Sequence, residues 1–257
     1  MTKIFEALEN AGLERYSLRD PQATAIPFQQ IQEYVPHMEV GKIARASKVK
    51  IENGASISLY HSIVMLLPSM ASRVVQFQSA QIGEGTSTLV RELAMAAAFK
   101  LKKSVLLLDL NQKRPNQCNY FNKSSELSWK DSPDGHITFN ENGSRVKDTS
   151  LYVTQLPSDV TPASIIGELP RIETFIEGLK KEFDLILIDS PSATSCAECL
   201  MLTPKVDGVI LVVEAEKTRW QTVDKIKANI QAHEGKILGV VLNKRRYPIP
   251  NFIYNRI

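Results

Sequence analysis

From Arg73 onward the hydrophobic residues fall into short runs that alternate with stretches of helical period. Six runs have strand length: Arg73–Ala80, Ser104–Leu110, Leu151–Leu156, Asp184–Asp189, Val209–Glu214 and Ile237–Asn243. Between them, Thr88–Leu101 is rich in Ala and Leu. Pro170–Phe183 opens on a proline suited to a first helical turn and repeats Ile172, Phe175, Ile176 and Leu179. Thr218–His233 repeats Trp220, Val223, Ile226 and Ile230 and ends near Gly235, a C-cap candidate. Strands buried on both faces and separated by helices predict a mostly parallel sheet with helices on each side, a three-layer α/β sandwich.

The chain before Arg73 is patterned differently. Ile4, Phe5, Leu8 and Ala11 form one apolar stripe, so residues 2–15 are expected to be an amphipathic helix, docked on this chain or on a partner. Residues 16–50 hold Pro21, Pro27 and Pro36 without a sustained period and are expected to be a linker. A helical pattern returns at 56–67. The domain expectation is therefore residues 1–70 as helix, linker and second helix, and residues 71–257 as the α/β domain. Within that domain, residues 116–150 carry only eight hydrophobic residues against nine charged ones. They are expected to be a surface insertion, with a weak strand signal at 136–140.

Composition narrows the classes. The 257 residues are 43% hydrophobic and 23% charged, an ordinary globular balance. No stretch approaches the ~20 apolar residues of a membrane-spanning helix. Glu6 and Glu9 interrupt any export signal at the start. Three cysteines are too few for a disulfide framework, which favours a reducing compartment. A net charge of +3 gives no argument for nucleic acid, and no such partner is expected.

The candidate chemistry lies where the first strand ends. Ala80-Gln-Ile-Gly83-Glu84-Gly85-Thr86-Ser87-Thr88 is a glycine-rich turn between an apolar strand and an Ala-rich helix. In that context backbone amides and a helix N-terminus can surround a phosphate. Against the pattern G-x-x-x-x-G-K-[ST], Ala80 holds the first glycine position and Gly85 the second. Ser87 holds the magnesium-binding hydroxyl, but Thr86 stands where the lysine should be. Glu84 is the loop's only formal charge and has the wrong sign. Two later strands end in acids, Asp109 and Asp189, as magnesium-binding strands beside such loops do.

Several ordered motifs resemble the cytoplasmic P-loop domain of bacterial tyrosine autokinases of exopolysaccharide and capsule assembly, relatives of the chromosome-partitioning ATPases. The family pattern G-E-G-K-S-T aligns with Gly83–Thr88, V-L-L-I-D-A-D-L-R-R-P with Val105–Pro115, and D-x-V-I-I-D-T-P-P with Asp184–Pro191. Pro204–Val213 and Leu238–Asn243 follow it too, so the resemblance spans about residues 71–244, and the first 15 residues loosely. It implies a P-loop NTPase-like fold. The implied nucleotide-binding set is Gly83, Glu84, Gly85, Thr86, Ser87, Thr88 and Asn243, the last at the adenine-reading position. It also implies magnesium ligands Ser87, Asp109 and Asp189, catalytic acids Asp109 and Asp189, and ATP or ADP with Mg²⁺ as ligands, bound weakly or not at all.

Four family elements are altered. The loop lysine is Thr86, and the second acid of D-x-D is Asn111. The E-x-x-R-x-x-R helix falls on Ser58–Val64 without its arginines, and the tyrosine-rich tail is reduced to Tyr247 and Tyr254. The resemblance then implies a catalytically impaired, cytoplasmic regulator. It would be held peripherally at the inner membrane by a polysaccharide co-polymerase or export complex, with self-association as a further expectation. An active autokinase or ATPase with compensating residues, and a partitioning-type ATPase, remain the alternatives. Lys113 and Arg114 read better as a solvated or subunit-facing basic pair than as phosphate ligands. Cys196 and Cys199 lack further metal ligands and read as small buried side chains. The chain after Asn243 carries Lys244, Arg245, Arg246 and Arg256 and no acid, a basic segment suited to a partner or membrane surface.

Overall fold

The structure is a computed structural model, and it describes residues 54–111, 116–127, 144–157 and 167–244. The expected N-terminal helix and linker, the weak strand at 136–140, Lys113, Arg114, Tyr247 and Tyr254 lie outside those residues.

Six strands form one parallel sheet: β1 (Arg73–Ser79), β2 (Val105–Asp109), β3 (Leu151–Gln155), β4 (Leu185–Asp189), β5 (Gly208–Glu214) and β6 (Ile237–Asn243), in the order β3-β2-β4-β1-β5-β6. All six expected strands are present, with ends shifted by a residue at most. The strands alternate burial across two apolar clusters, the period of two expected of a pleated backbone. On one face Val75, Phe77, Val105, Leu107, Leu185, Leu187, Ile210 and Val212 pack under helices α1 (Gly54–Leu66) and α2 (Thr86–Met95). On the other, Leu106, Leu108, Ile186, Ile188 and Leu211 pack under α4 (Leu169–Glu182) and α5 (Trp220–Ala232). Each fully buried Leu or Ile contributes about 1.5–3 kcal/mol relative to exposure, so this two-sided burial dominates the stability of the layered fold.

α1 answers the helical pattern at 56–67. Its Tyr60 and Ile63, with Leu67 just beyond its end, join the first cluster, while Met65 and Leu66 are exposed. Among the described residues no helix is long and apolar enough to cross a membrane.

One expectation fails for a physical reason. The start of the 116–150 segment is not a surface insertion: α3 (Gln117–Phe121) buries Gln117 and Cys118, and Ser125 and Leu127 are buried beyond it. Its polar composition misleads because its buried polar groups are hydrogen-bonded rather than solvated. Cys196 and Cys199 are buried, as expected of small side chains there, and they also form a disulfide across a short turn. The lone thiol Cys118 is buried, which pushes its pKa up to about 11.

β1 carries two amides on the face that its neighbours fill with aliphatics. Gln76 Nε2 donates to Ser190 Oγ (2.9 Å) and to the Cys199 carbonyl (3.0 Å), and Gln78 Nε2 donates to the Pro191 carbonyl (2.6 Å). They tie β1 to the segment after β4 and so fix the two strand ends that flank the candidate site. That site lies at the carboxyl end of β1, where β4 leaves to one side and β5 to the other, the usual ligand crevice of an open parallel sheet.

Candidate phosphate-binding site

The turn from β1 into α2 is built on two glycines in left-handed conformation. Gly83 and Gly85 adopt φ of 90° and 92°, a region open to glycine at no steric cost. At Gly85 there is also no room: a Cβ would stand 2.2 Å from Asn243 Nδ2. Gly85 is the N-cap of α2 and no side chain caps that helix, so its N-terminus is available to an anion.

Glu84 does not act as a stray negative charge in the loop. It is buried, and its carboxylate accepts from the Gln81 amide (2.8 Å) and from the Thr218 hydroxyl before α5. It braces the loop against the β5–α5 turn. Asn243, at the end of β6, donates from Nδ2 to the Glu84 carbonyl at 2.8 Å, so it supports the loop from the same side. Thr218 was not legible as a site residue; its partner Glu84 is more than a hundred positions away.

Thr86, at the lysine position, is buried, and its Oγ1 has no hydrogen-bond partner among the described residues. A buried hydroxyl without a partner is uncommon and costs roughly 1–3 kcal/mol. Ser87 hydrogen-bonds Asp189, and Thr88 is exposed on the first turn of α2.

The two strand-terminal acids are side by side in register on β2 and β4. Both are buried, and burial raises both pKa values; Asp189, with Asp109 beside it, is pushed up to about 6. Their environments differ. Asp109 accepts from the Asn111 amide (2.9 Å) through Oδ1, and from the Asn116 (2.9 Å) and Gln117 (3.0 Å) amides through Oδ2. It thereby pins the chain on both sides of residues 112–115. Asp189 accepts from the Gln117 side chain at 2.7 Å.

Gln117 is a second site residue that sequence reasoning missed. It is fully buried and uses its whole amide: Nε2 donates to Asp189 Oδ2 and to the Ser87 carbonyl (2.8 Å), and Oε1 accepts from Arg91 Nε (3.0 Å). The Arg91 guanidinium lies 3.9 Å from the centre of the Tyr120 ring, and desolvation lowers its pKa. The available signal was Gln-Cys-Asn-Tyr-Phe, a short run with apolar residues immediately after the glutamine.

For magnesium, Ser87 and Asp189 fit as the protein's oxygen donors, since Mg²⁺ usually takes one or two such groups and fills its shell with phosphate and water. There it would neutralise phosphate charge. Asp109 fits less well as a direct ligand, because three amides already engage its oxygens. No cluster of three or more His, Cys, Asp or Glu suited to a metal occurs among the described residues.

No known family profile matches the chain. It is similar to the tyrosine-protein kinase YwqD of Bacillus subtilis, 27% identical over 67% of this chain and 72% of the relative. Tyrosine-protein kinase CpsD of Streptococcus agalactiae is 25% identical over 67% and 76%. The succinoglycan biosynthesis transport protein ExoP of Rhizobium meliloti is 23% identical over 70% of this chain but only 23% of its own length. The fold matches the kinase domain of the Escherichia coli tyrosine kinase ETK, with a TM-score of 0.62 at 16% identity over 81% and 88% of the two chains. It also matches the septum site-determining protein MinD of Pyrococcus horikoshii, complexed with Mg-ADP, with a TM-score of 0.52 at 18% identity over 72% and 76%. The resemblance read from the motifs is thus borne out: the relatives are bacterial tyrosine-protein kinases, and the fold is that of P-loop NTPases.

Proposed function

We propose that this chain is a tyrosine-kinase-like P-loop protein of a bacterial polysaccharide assembly system, one that binds ATP or ADP with magnesium but transfers phosphate inefficiently. The observation that carries it is Thr86: a buried, neutral side chain stands where charge would stabilise the transferring phosphate. Asp109 adds to it. Committed to three backbone amides and followed by Asn111 in place of a second acid, it holds a turn better than it takes a proton.

The polysaccharide role is supported by the kinase relatives together with ExoP. A regulator working through binding fits an intact fold with altered chemistry. Its partner would be a membrane polysaccharide co-polymerase or export complex, which would place it peripherally at the inner membrane, with self-association as a further property.

The test is phosphate transfer from γ-labelled Mg-ATP to the chain's own tyrosines, alongside YwqD. Transfer at least ~100-fold slower than YwqD is expected, the scale set by losing one charged transition-state contact. A comparable rate that Asp109→Ala abolishes would instead establish an active autokinase.

A further inference from the structure

A phosphate loop that binds a polyphosphate needs a cation, and Thr86 supplies none. Arg91 is held in place by Gln117 and the Tyr120 ring. Lys244 is placed differently. It follows β6, and its ammonium donates to the Gly83 carbonyl of the loop. Its Cε lies 3.7 Å from the place a Cβ on Gly85 would take, so its stem runs along the loop.

Three features separate this from an ordinary surface contact. Lys244 has φ of 57°, uncommon for a residue with a side chain, and its amide is fixed in that turn by Asn243 Oδ1 at 2.9 Å. Its ion pair with Glu214 (3.2 Å) does not account for it, because Lys217 already pairs with the same Glu214 oxygen at 3.0 Å. The same loop holds the buried Thr86 hydroxyl, which has no partner among the described residues. A flexible lysine resting on a loop carbonyl can exchange that neutral acceptor for a phosphate oxygen, a stronger charge-assisted partner.

We propose that Lys244 is the phosphate-binding cation of this site, supplying from the end of β6 the charge that the loop lacks. The proposal rests on the nucleotide-site reading above and names how that site holds the polyphosphate.

The test is calorimetric titration of ADP and Mg-ATP into the full chain, as wild type, Lys244→Ala, Lys244→Arg and Lys244→Ala with Thr86→Lys, at two salt concentrations, with a thermal melt of each unliganded protein. Lys244→Ala is expected to weaken both nucleotides about tenfold and to flatten the salt dependence. Lys244→Arg should stay within a few-fold of wild type. Adding Thr86→Lys should recover the lost affinity, and the unliganded melts should coincide. Unchanged affinity in Lys244→Ala, or a loss with unchanged salt dependence or with a matching fall in unliganded stability, overturns the assignment. A wild type that binds neither nucleotide overturns the nucleotide site itself, and the proposal with it.

Discussion

Asp189→Asn is expected to make the protein more stable at pH 8, by about 2–3 kcal/mol, while leaving it no more stable at pH 4. Burial, and then the neighbouring charge of Asp109, push the folded-state pKa of Asp189 up to about 6, above its ordinary value of 3.8. The native state therefore binds more protons than the unfolded chain between those values. The sign follows: Asp189 contributes no penalty below about pH 4, and the wild type loses stability as pH rises through about 6. Asparagine keeps the shape and the hydrogen bond to Gln117 without the charge, so the gain appears only on the alkaline side. Urea denaturation of both proteins between pH 4 and 8 measures it. A variant less stable than wild type at pH 8 would mean that the donors around Asp189 more than offset its burial.

The second large effect is expected at Gln117. Gln117→Ala removes three hydrogen bonds of a buried side chain at once and leaves Arg91, Asp189 and the Ser87 carbonyl short of partners. Each group so stranded costs roughly 1–3 kcal/mol, with a smaller cavity term, and partial rehydration recovers some of it. A net loss of about 2–4 kcal/mol by denaturant titration is expected. Gln117→Glu should be worse at neutral pH, because it adds a third carboxylate beside Asp189 and Asp109. A loss below about 0.5 kcal/mol for alanine, the size of an ordinary surface change, would mean that the network does not hold the site together. Gln117 and Asp189 share a hydrogen bond, so their combined variant should deviate from additivity.

These two residues mark where sequence reading works and where it stops. The six strands were legible because each is an apolar run filled on both faces, and Ile237–Asn243 matches to the residue. Gly83 and Gly85 were legible because a strand–loop–helix turn of this kind demands positive φ. Asp109 and Asp189 were legible as strand-terminal acids, but their different burdens were not. Which acid is saturated by amides depends on where residues 116 and 117 return to the sheet. Glu84 looked like a misplaced charge because its partners, Thr218 and the Glu214 amide, belong to a turn far along the chain. Gln117 was hidden for the same reason. A polar residue in a polar stretch carries no local mark of burial, and only the packing of α3 against β2 and β3 makes it central. The Cys196–Cys199 link was likewise invisible to a count of three cysteines, since it depends on the local turn bringing the two sulfurs together.

We infer that the loop of this chain kept the shape of a phosphate site and lost its charge. Nucleotide titration of wild type against Thr86→Lys tests it most directly. A lysine there would place an ammonium at the buried position where the Thr86 hydroxyl has no partner. Mg-ATP and ADP are expected to bind the wild type weakly and the variant at least about tenfold more tightly, the effect of one charge-assisted contact. A folded variant that binds either nucleotide no better than wild type would contradict the claim.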